Sequence, residues 1–207
     1  MDIEKELLKI VKQKEVLEIG GLGDFDRYMA EEFATWRHVK FKHAAKTIKG
    51  IDINAKYVEL ARQEGFDYHV ANIENKNILP DMGQYDVILL LDVIEHLSNV
   101  GMGLDNMKNL LKPEGKLVIT TPNPFSFNNI LRLLTRKEIA EYHDHTCNLL
   151  ISHIEQLFLR TGLRIEKTDY ITFSDSFGNN RKFDIIRYAG RIIPLFNTHL
   201  FILGEKR

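Results

Sequence analysis

Cysteine is nearly absent. The 207 residues contain one, Cys147, which excludes an internal disulfide and any zinc site built from cysteines. Long apolar runs are missing as well: no stretch approaches the ~18 uninterrupted apolar residues of a membrane-spanning helix. The opening segment, MDIEKELLKIVKQKE, is charged and has no apolar centre. It does not read as a signal peptide, and the expected compartment is the cytoplasm. Neither sign of charge is in excess, with 28 Lys and Arg against 29 Asp and Glu. A net charge of −1 provides no broad face for nucleic acid and no pull toward an anionic membrane, so neither nucleic-acid binding nor stable membrane insertion is expected. There is no internal repeat, low-complexity tract or linker. The length suits one domain, residues 1–207, with a core of useful size.

What is present is alternation. Ile3, Leu7, Leu8 and Val11 fall at helical spacing in residues 2–14. Strands are expected at 15–19, 47–51, 66–71, 85–91 and 116–121, with helices at 24–46 (broken near Thr35-Trp36), at 54–64 capped by Asn54, and from Ser98 to Leu111. YDVILLL at 85–91 is apolar nearly throughout, as in a strand buried on both faces. A helix at 152–161 and strands at 163–173 and 199–206 complete the pattern. Strand–helix alternation implies a parallel sheet with right-handed crossovers. The last two strands have little room for a crossover between them, which suggests an antiparallel ending.

VLEIGGLGDF at 16–25 is the most informative stretch. A short apolar strand runs into Gly20, Gly21 and Gly23 and then into helix-compatible sequence. Such a turn lets backbone approach a ligand and exposes free N–H groups. Glu18 lies inside the motif, and Asp52 ends the next strand in IKGID. Together they suggest a nucleoside held by its hydroxyls and amino group.

Five segments in order carry a family resemblance: VLEIGGLGDF, IKGIDI (48–53), ANIEN (71–75), YDVILLLDVIEHLSN (85–99) and LLKPEGKLVITTPNP (110–124). On these the chain resembles class I S-adenosylmethionine-dependent methyltransferases over about residues 15–122. The resemblance implies an α/β, Rossmann-like, doubly wound sheet of seven strands, mostly parallel with an antiparallel last strand. It implies S-adenosylmethionine as cofactor and S-adenosylhomocysteine as product. Glu18 would position the methionine end, with Gly20, Gly21 and Gly23 forming the cofactor turn. Asp52 would accept from both ribose hydroxyls, Ile53 would pack beside the ribose or adenine, and Asn72 and Ile73 would recognise adenine. Leu91 and Asp92 would face the methionine part or the acceptor. His96, His143 and His145 are candidate bases, and Tyr142 to His145 would border the acceptor site. A small-molecule, sugar or lipid-linked acceptor is implied, held by segments 24–46, 122–150 and 174–197.

The chain departs from the family in two places. The glycine motif is one residue short, or Leu22 replaces a glycine. The stretch WRHVKFKHAAK lengthens the path from Gly20 to Asp52. It carries part of a basic run, Arg37, Lys40, Lys42, Lys46 and Lys49, of the kind that usually forms a solvated face. His143 and His145 lie two apart with no further ligands at zinc-like spacing, so no metal is expected. A nicotinamide enzyme fits poorly, because no third small residue follows Gly21-Leu22-Gly23 and no tyrosine has a lysine four positions on. A non-catalytic cofactor-binding or interaction protein on the same fold is the alternative.

Overall fold

The computed structural model describes residues 2–75, 82–139, 144–173 and 188–206. The elements follow the chain as α1 (Ile3–Val11), β1 (Glu15–Ile19), α2 (Phe25–Ala30), α3 (Arg37–Ala44), β2 (Thr47–Asp52), α4 (Ala55–Gln63), β3 (Tyr68–Val70), β4 (Tyr85–Leu91), α5 (Val100–Leu110), β5 (Leu111–Pro122), α6 (Phe127–Leu134), α7 (Ile151–Thr161), β6 (Leu163–Ile171) and β7 (His199–Lys206). One sheet takes all seven strands in the order β3-β2-β1-β4-β5-β7-β6. Neighbours from β3 to β5 run parallel, and β7 runs antiparallel between β5 and β6. This is the mostly parallel, doubly wound α/β sheet with an antiparallel last strand that the sequence implied. The strand order reverses between β1 and β4, and in such sheets the crevice at that switch point receives ligands.

Side-chain alternation along β4 explains the two-faced core. Val87 and Leu89 pack with Ile3, Leu7 and Val11 of α1 and Phe41 of α3. Ile88 and Leu90 face the other way, onto Leu104 and Met107 of α5 and Ile154 and Phe158 of α7. Each fully buried leucine, such as Leu7, contributes roughly 2 kcal/mol through removal from water. A smaller cluster joins Leu22, Phe25, Trp36, Val58, Ala61 and Tyr68 beside the glycine turn. Leu22 is therefore a core residue that fastens the shortened turn to α2 and α4.

Several boundaries differ from the expected ones. β3 is shorter, because only Tyr68–Val70 pairs with β2. The cap of α5 is Asn99, whose Oδ1 accepts from the Met102 amide at 3.0 Å, and not Ser98. β5 begins at Leu111, since Tyr85 pairs with Leu111 and Val87 with Lys116 across an irregular loop-out in which Glu114 has φ +61°. α6 lies in a segment expected only to border the acceptor. Ser126 caps it, and its Leu131, Leu133 and Leu134 are exposed, so they leave no buried stripe to read. The unplaced stretch WRHVKFKHAAK contains α3, which buries His38 and Phe41 and pairs Lys40 with Glu4 of α1 at 2.7 Å. Lys46 pairs with Glu15 at 2.6 Å, which accounts for part of the basic run. Among the described residues no helix is long and apolar enough to cross a membrane.

Candidate active site

β1 delivers the chain to a turn at its carboxyl end, where Gly20 and Gly21 have φ of +75° and +98°. Side-chain-bearing residues rarely adopt these values. The turn is also crowded. A Cβ on Gly20 would stand 2.6 Å from Val93, and one on Gly21 would stand 3.1 Å from the Glu18 carboxylate. The Gly20 amide donates to Ile51 O at 2.8 Å, and Trp36 Nε1 donates to Gly21 O at 2.9 Å. Gly23 has open space where a side chain would be.

Glu18 is buried, at 4% exposure. Its Oε2 accepts from the Tyr68 hydroxyl at 2.5 Å and lies 2.6 Å from Nδ1 of His38. Tyr68 reaches it because Gly50, on the neighbouring strand, leaves room; any Cβ there would overlap the phenol ring. Burial, reinforced by the Glu18 carboxylate, holds the Tyr68 hydroxyl well above the usual tyrosine range, so it remains a donor.

Asp52 ends β2 half-buried, and its Oδ1 accepts from the Asn54 amide at 2.9 Å. Burial raises its pKa, while hydrogen bonds from the Asn54, Leu22 and Ile53 amides oppose the rise. Beside it Ile53 is 73% exposed, an unusual setting for isoleucine. Asn72 is partly exposed, and its side-chain carbonyl accepts from the Glu74 amide at 2.8 Å. Ile73 is buried in the core, its carbonyl accepting from Asn106 Nδ2 at 2.6 Å. Of the expected adenine pair, only Asn72 offers a side chain at the surface.

Leu91 closes β4, and Asp92 follows with φ +57°, a conformation aspartate tolerates better than most residues. Asp92 Oδ1 accepts from Thr120 Oγ1 at 2.9 Å. Two basic side chains face it: Arg37 Nη2 lies 3.9 Å from Oδ2, and His199 Nε2 lies 3.8 Å from Oδ1. Burial lowers the pKa of His199, against the pull of Asp92. A small pocket above the glycine turn is lined by Glu18, Ile19, Gly21, Tyr28, Trp36, Arg37 and Leu91.

A second group gathers one turn further on. Residues Ile94–His96 form a 3-10 turn, clamped by Thr146, whose amide and hydroxyl donate to Glu95 O and whose hydroxyl also meets Leu97 O. Glu95 is 2% exposed. Its Oε2 accepts from Thr121 Oγ1 at 2.9 Å, while Oε1 has no partner among the described residues. Burial, with Asp92 adding to it, pushes its carboxyl to about 8. His96 places Nδ1 3.3 Å from Asp144 Oδ2, and the His145 ring stands edge-on at 4.7 Å. The fold thus joins His96 to the Asp144-His145 segment. Tyr142 and His143 lie outside the described residues.

Sequence reasoning passed over Tyr28, Trp36, His38, Tyr68, Thr121 and His199, and took Arg37 for part of a solvated face. No local motif marks them. Trp36, Arg37 and His38 reach the turn only because α3 folds back over the end of β1.

The comparisons with known proteins agree with this architecture. A sequence model described as a methyltransferase domain matches residues 2–168. A methyltransferase of Archaeoglobus fulgidus described as dependent on S-adenosylmethionine shares 18% identity, with a TM-score of 0.61 over 99% of this chain and 93% of that one. The N-methyltransferase NodS of Bradyrhizobium japonicum, solved with S-adenosylhomocysteine, shares 15% identity at a TM-score of 0.57, over 99% of this chain and 86% of its own. Among curated relatives, a ubiquinone biosynthesis O-methyltransferase of Pelagibacter ubique is 24% identical over 139 residues, which is 62% of this chain and 57% of that protein. A non-reducing polyketide synthase of Aspergillus novofumigatus is 29% identical over 62% of this chain, which spans 6% of the synthase. The chain therefore covers less than two thirds of the curated relatives it matches. With the family model covering most of its length, the chain belongs to the methyltransferase-domain family.

Proposed function

We propose that this chain moves a methyl group from S-adenosylmethionine to a hydroxyl of a small-molecule, sugar or lipid-linked acceptor. One observation carries the reading. A glycine turn, a ribose-suited carboxylate and a His–Asp pair converge on the carboxyl edge of the sheet at its switch point.

The residues on the cofactor side fit the group. The Asp52 carboxylate has acceptors for two ribose hydroxyls. Ile53 offers exposed apolar surface to the base, and Asn72 offers an amide at the next strand end. The backbone of Gly20, Gly21 and Gly23 admits close approach. Glu18 organises that turn from below, and Leu91 and Asp92 border the methionine end. When bound, S-adenosylmethionine supplies an electrophilic methyl on a sulfonium and leaves as S-adenosylhomocysteine.

On the acceptor side His96 takes the hydroxyl proton at Nε2. Asp144 beside Nδ1 keeps a proton on that nitrogen and stabilises the imidazolium. His145 steadies the ring from its edge, and His143 is the remaining candidate. Most of the acceleration then comes from holding the reacting groups in line. The O-methyltransferase relatives support a hydroxyl acceptor.

The test is turnover. Purified chain is incubated with S-adenosylmethionine and panels of phenols, sugars and lipid-linked hydroxyls, and S-adenosylhomocysteine release is read. Release with a hydroxyl acceptor, lost in His96→Ala while cofactor affinity is kept, supports the reading. Cofactor binding with no turnover on any acceptor would assign the chain to a non-catalytic role.

A further inference from the structure

Two oddities of the sequence meet at one place in the structure: the shortened glycine turn and the added helix α3. The first residues of α3, with its cap, stand over that turn. Trp36 ties down Gly21 O and His38 grips Glu18. Arg37, between them, lines the pocket above the turn. Its guanidinium lies 4.4 Å over the Phe173 ring and 3.9 Å from Asp92. Its Nη1 is buried and has no hydrogen-bond partner among the described residues. A buried guanidinium N–H left unpaired is costly, and a carboxylate is its natural complement.

We infer that Arg37 anchors the carboxylate of the cofactor's amino-acid tail, so that α3 replaces what the shortened glycine turn lacks. The inference rests on the proposed use of S-adenosylmethionine. Among the described residues Glu18 pairs through Oε2 with His38 and Tyr68 and forms no ion pair with Arg37. Asp92, at 3.9 Å, is beyond hydrogen-bond reach and leaves Arg37 open to a second anion.

Calorimetry with two ligands tests this. S-adenosylhomocysteine carries the amino-acid tail; 5′-methylthioadenosine lacks it. Arg37→Gln is expected to weaken S-adenosylhomocysteine by about 10- to 100-fold and to leave 5′-methylthioadenosine unchanged. Arg37→Lys should recover part of the loss, and thermal unfolding checks that each variant is folded. Unchanged S-adenosylhomocysteine affinity in Arg37→Gln overturns the inference, as does equal weakening of both ligands. If wild type binds neither ligand, the cofactor reading itself fails. Binding of both ligands by wild type with no effect of Arg37→Gln defeats the anchor alone.

Discussion

Two buried glutamates divide the site. Glu18, at the end of β1, is 4% exposed, and one oxygen holds both Tyr68 and His38. Glu95, one turn past β4, is 2% exposed and meets one side-chain donor, Thr121, with Oε1 unpaired among the described residues. The same side chain at nearly the same depth does two different jobs. Glu18 is a structural clamp that joins β1, β3 and α3 beneath the glycine turn. Glu95 lacks enough donors to stay charged, and burial pushes its carboxyl to about 8. It is carried as a neutral acid at pH 7, so the turn that presents His96 is buried without a counter-ion. The glycine-turn side is braced by a carboxylate with two partners on one oxygen, and the His96 side by a carboxyl with one oxygen unpaired among the described residues.

The difference can be broken from either side. The largest effect belongs to chemistry at His96, the proposed base. His96→Ala should lower turnover by roughly 10²- to 10⁴-fold with unchanged S-adenosylhomocysteine affinity, read by product release and calorimetry. Equal losses in turnover and cofactor affinity would tie His96 to cofactor binding and not to the base's role.

Next comes the clamp. Glu18→Ala strands His38 and Tyr68 in the core and should cost about 3 kcal/mol, read by denaturant unfolding. A loss below about 1 kcal/mol would mean that water replaces the carboxylate. A milder break is Gly50→Ala, which forces the Tyr68 ring away from Glu18 and should destabilise by about 2 kcal/mol. If Gly50→Ala is as stable as wild type, Tyr68 is not held where the clamp needs it.

A last test sharpens the contrast through pH. The Glu95 carboxyl is raised in the folded protein from 4.5 to about 8. The folded state therefore holds a proton that the unfolded state releases. Its contribution is fully present below the unfolded value and is lost as pH climbs to the folded one. Wild-type Tm should fall by roughly 10 °C or more across that window relative to Glu95→Gln, which keeps a neutral side chain throughout. Parallel curves for the two proteins would show that Glu95 is ionised at neutral pH.

The fold was legible because its signals are local. Short, mostly apolar runs such as YDVILLL at 85–91 suit buried strands, and glycines mark the turn. Asn54 and Asp52 work within a few residues of themselves, so their positions were readable. What escaped depends on distant packing. α6 shows its leucines to solvent, and β5 starts early because of a loop-out against β4. Leu22 looked like a defect in a glycine motif and is a core anchor. Arg37 looked like one more surface cation. Only the return of α3 over β1, which no spacing encodes, turns residues 36–38 toward the glycine turn. His96 and Asp144 were each visible as polar residues, but their pairing needed the fold.

The central claim is that the carboxyl edge of β1 and β2 holds the cofactor's nucleoside. Calorimetric titration of wild type and Asp52→Ala with S-adenosylhomocysteine tests it most directly. Micromolar binding by wild type, weakened about 100-fold or more in a folded Asp52→Ala, is the expected result. Equal affinity in the two proteins, or no binding by folded wild type, would contradict it.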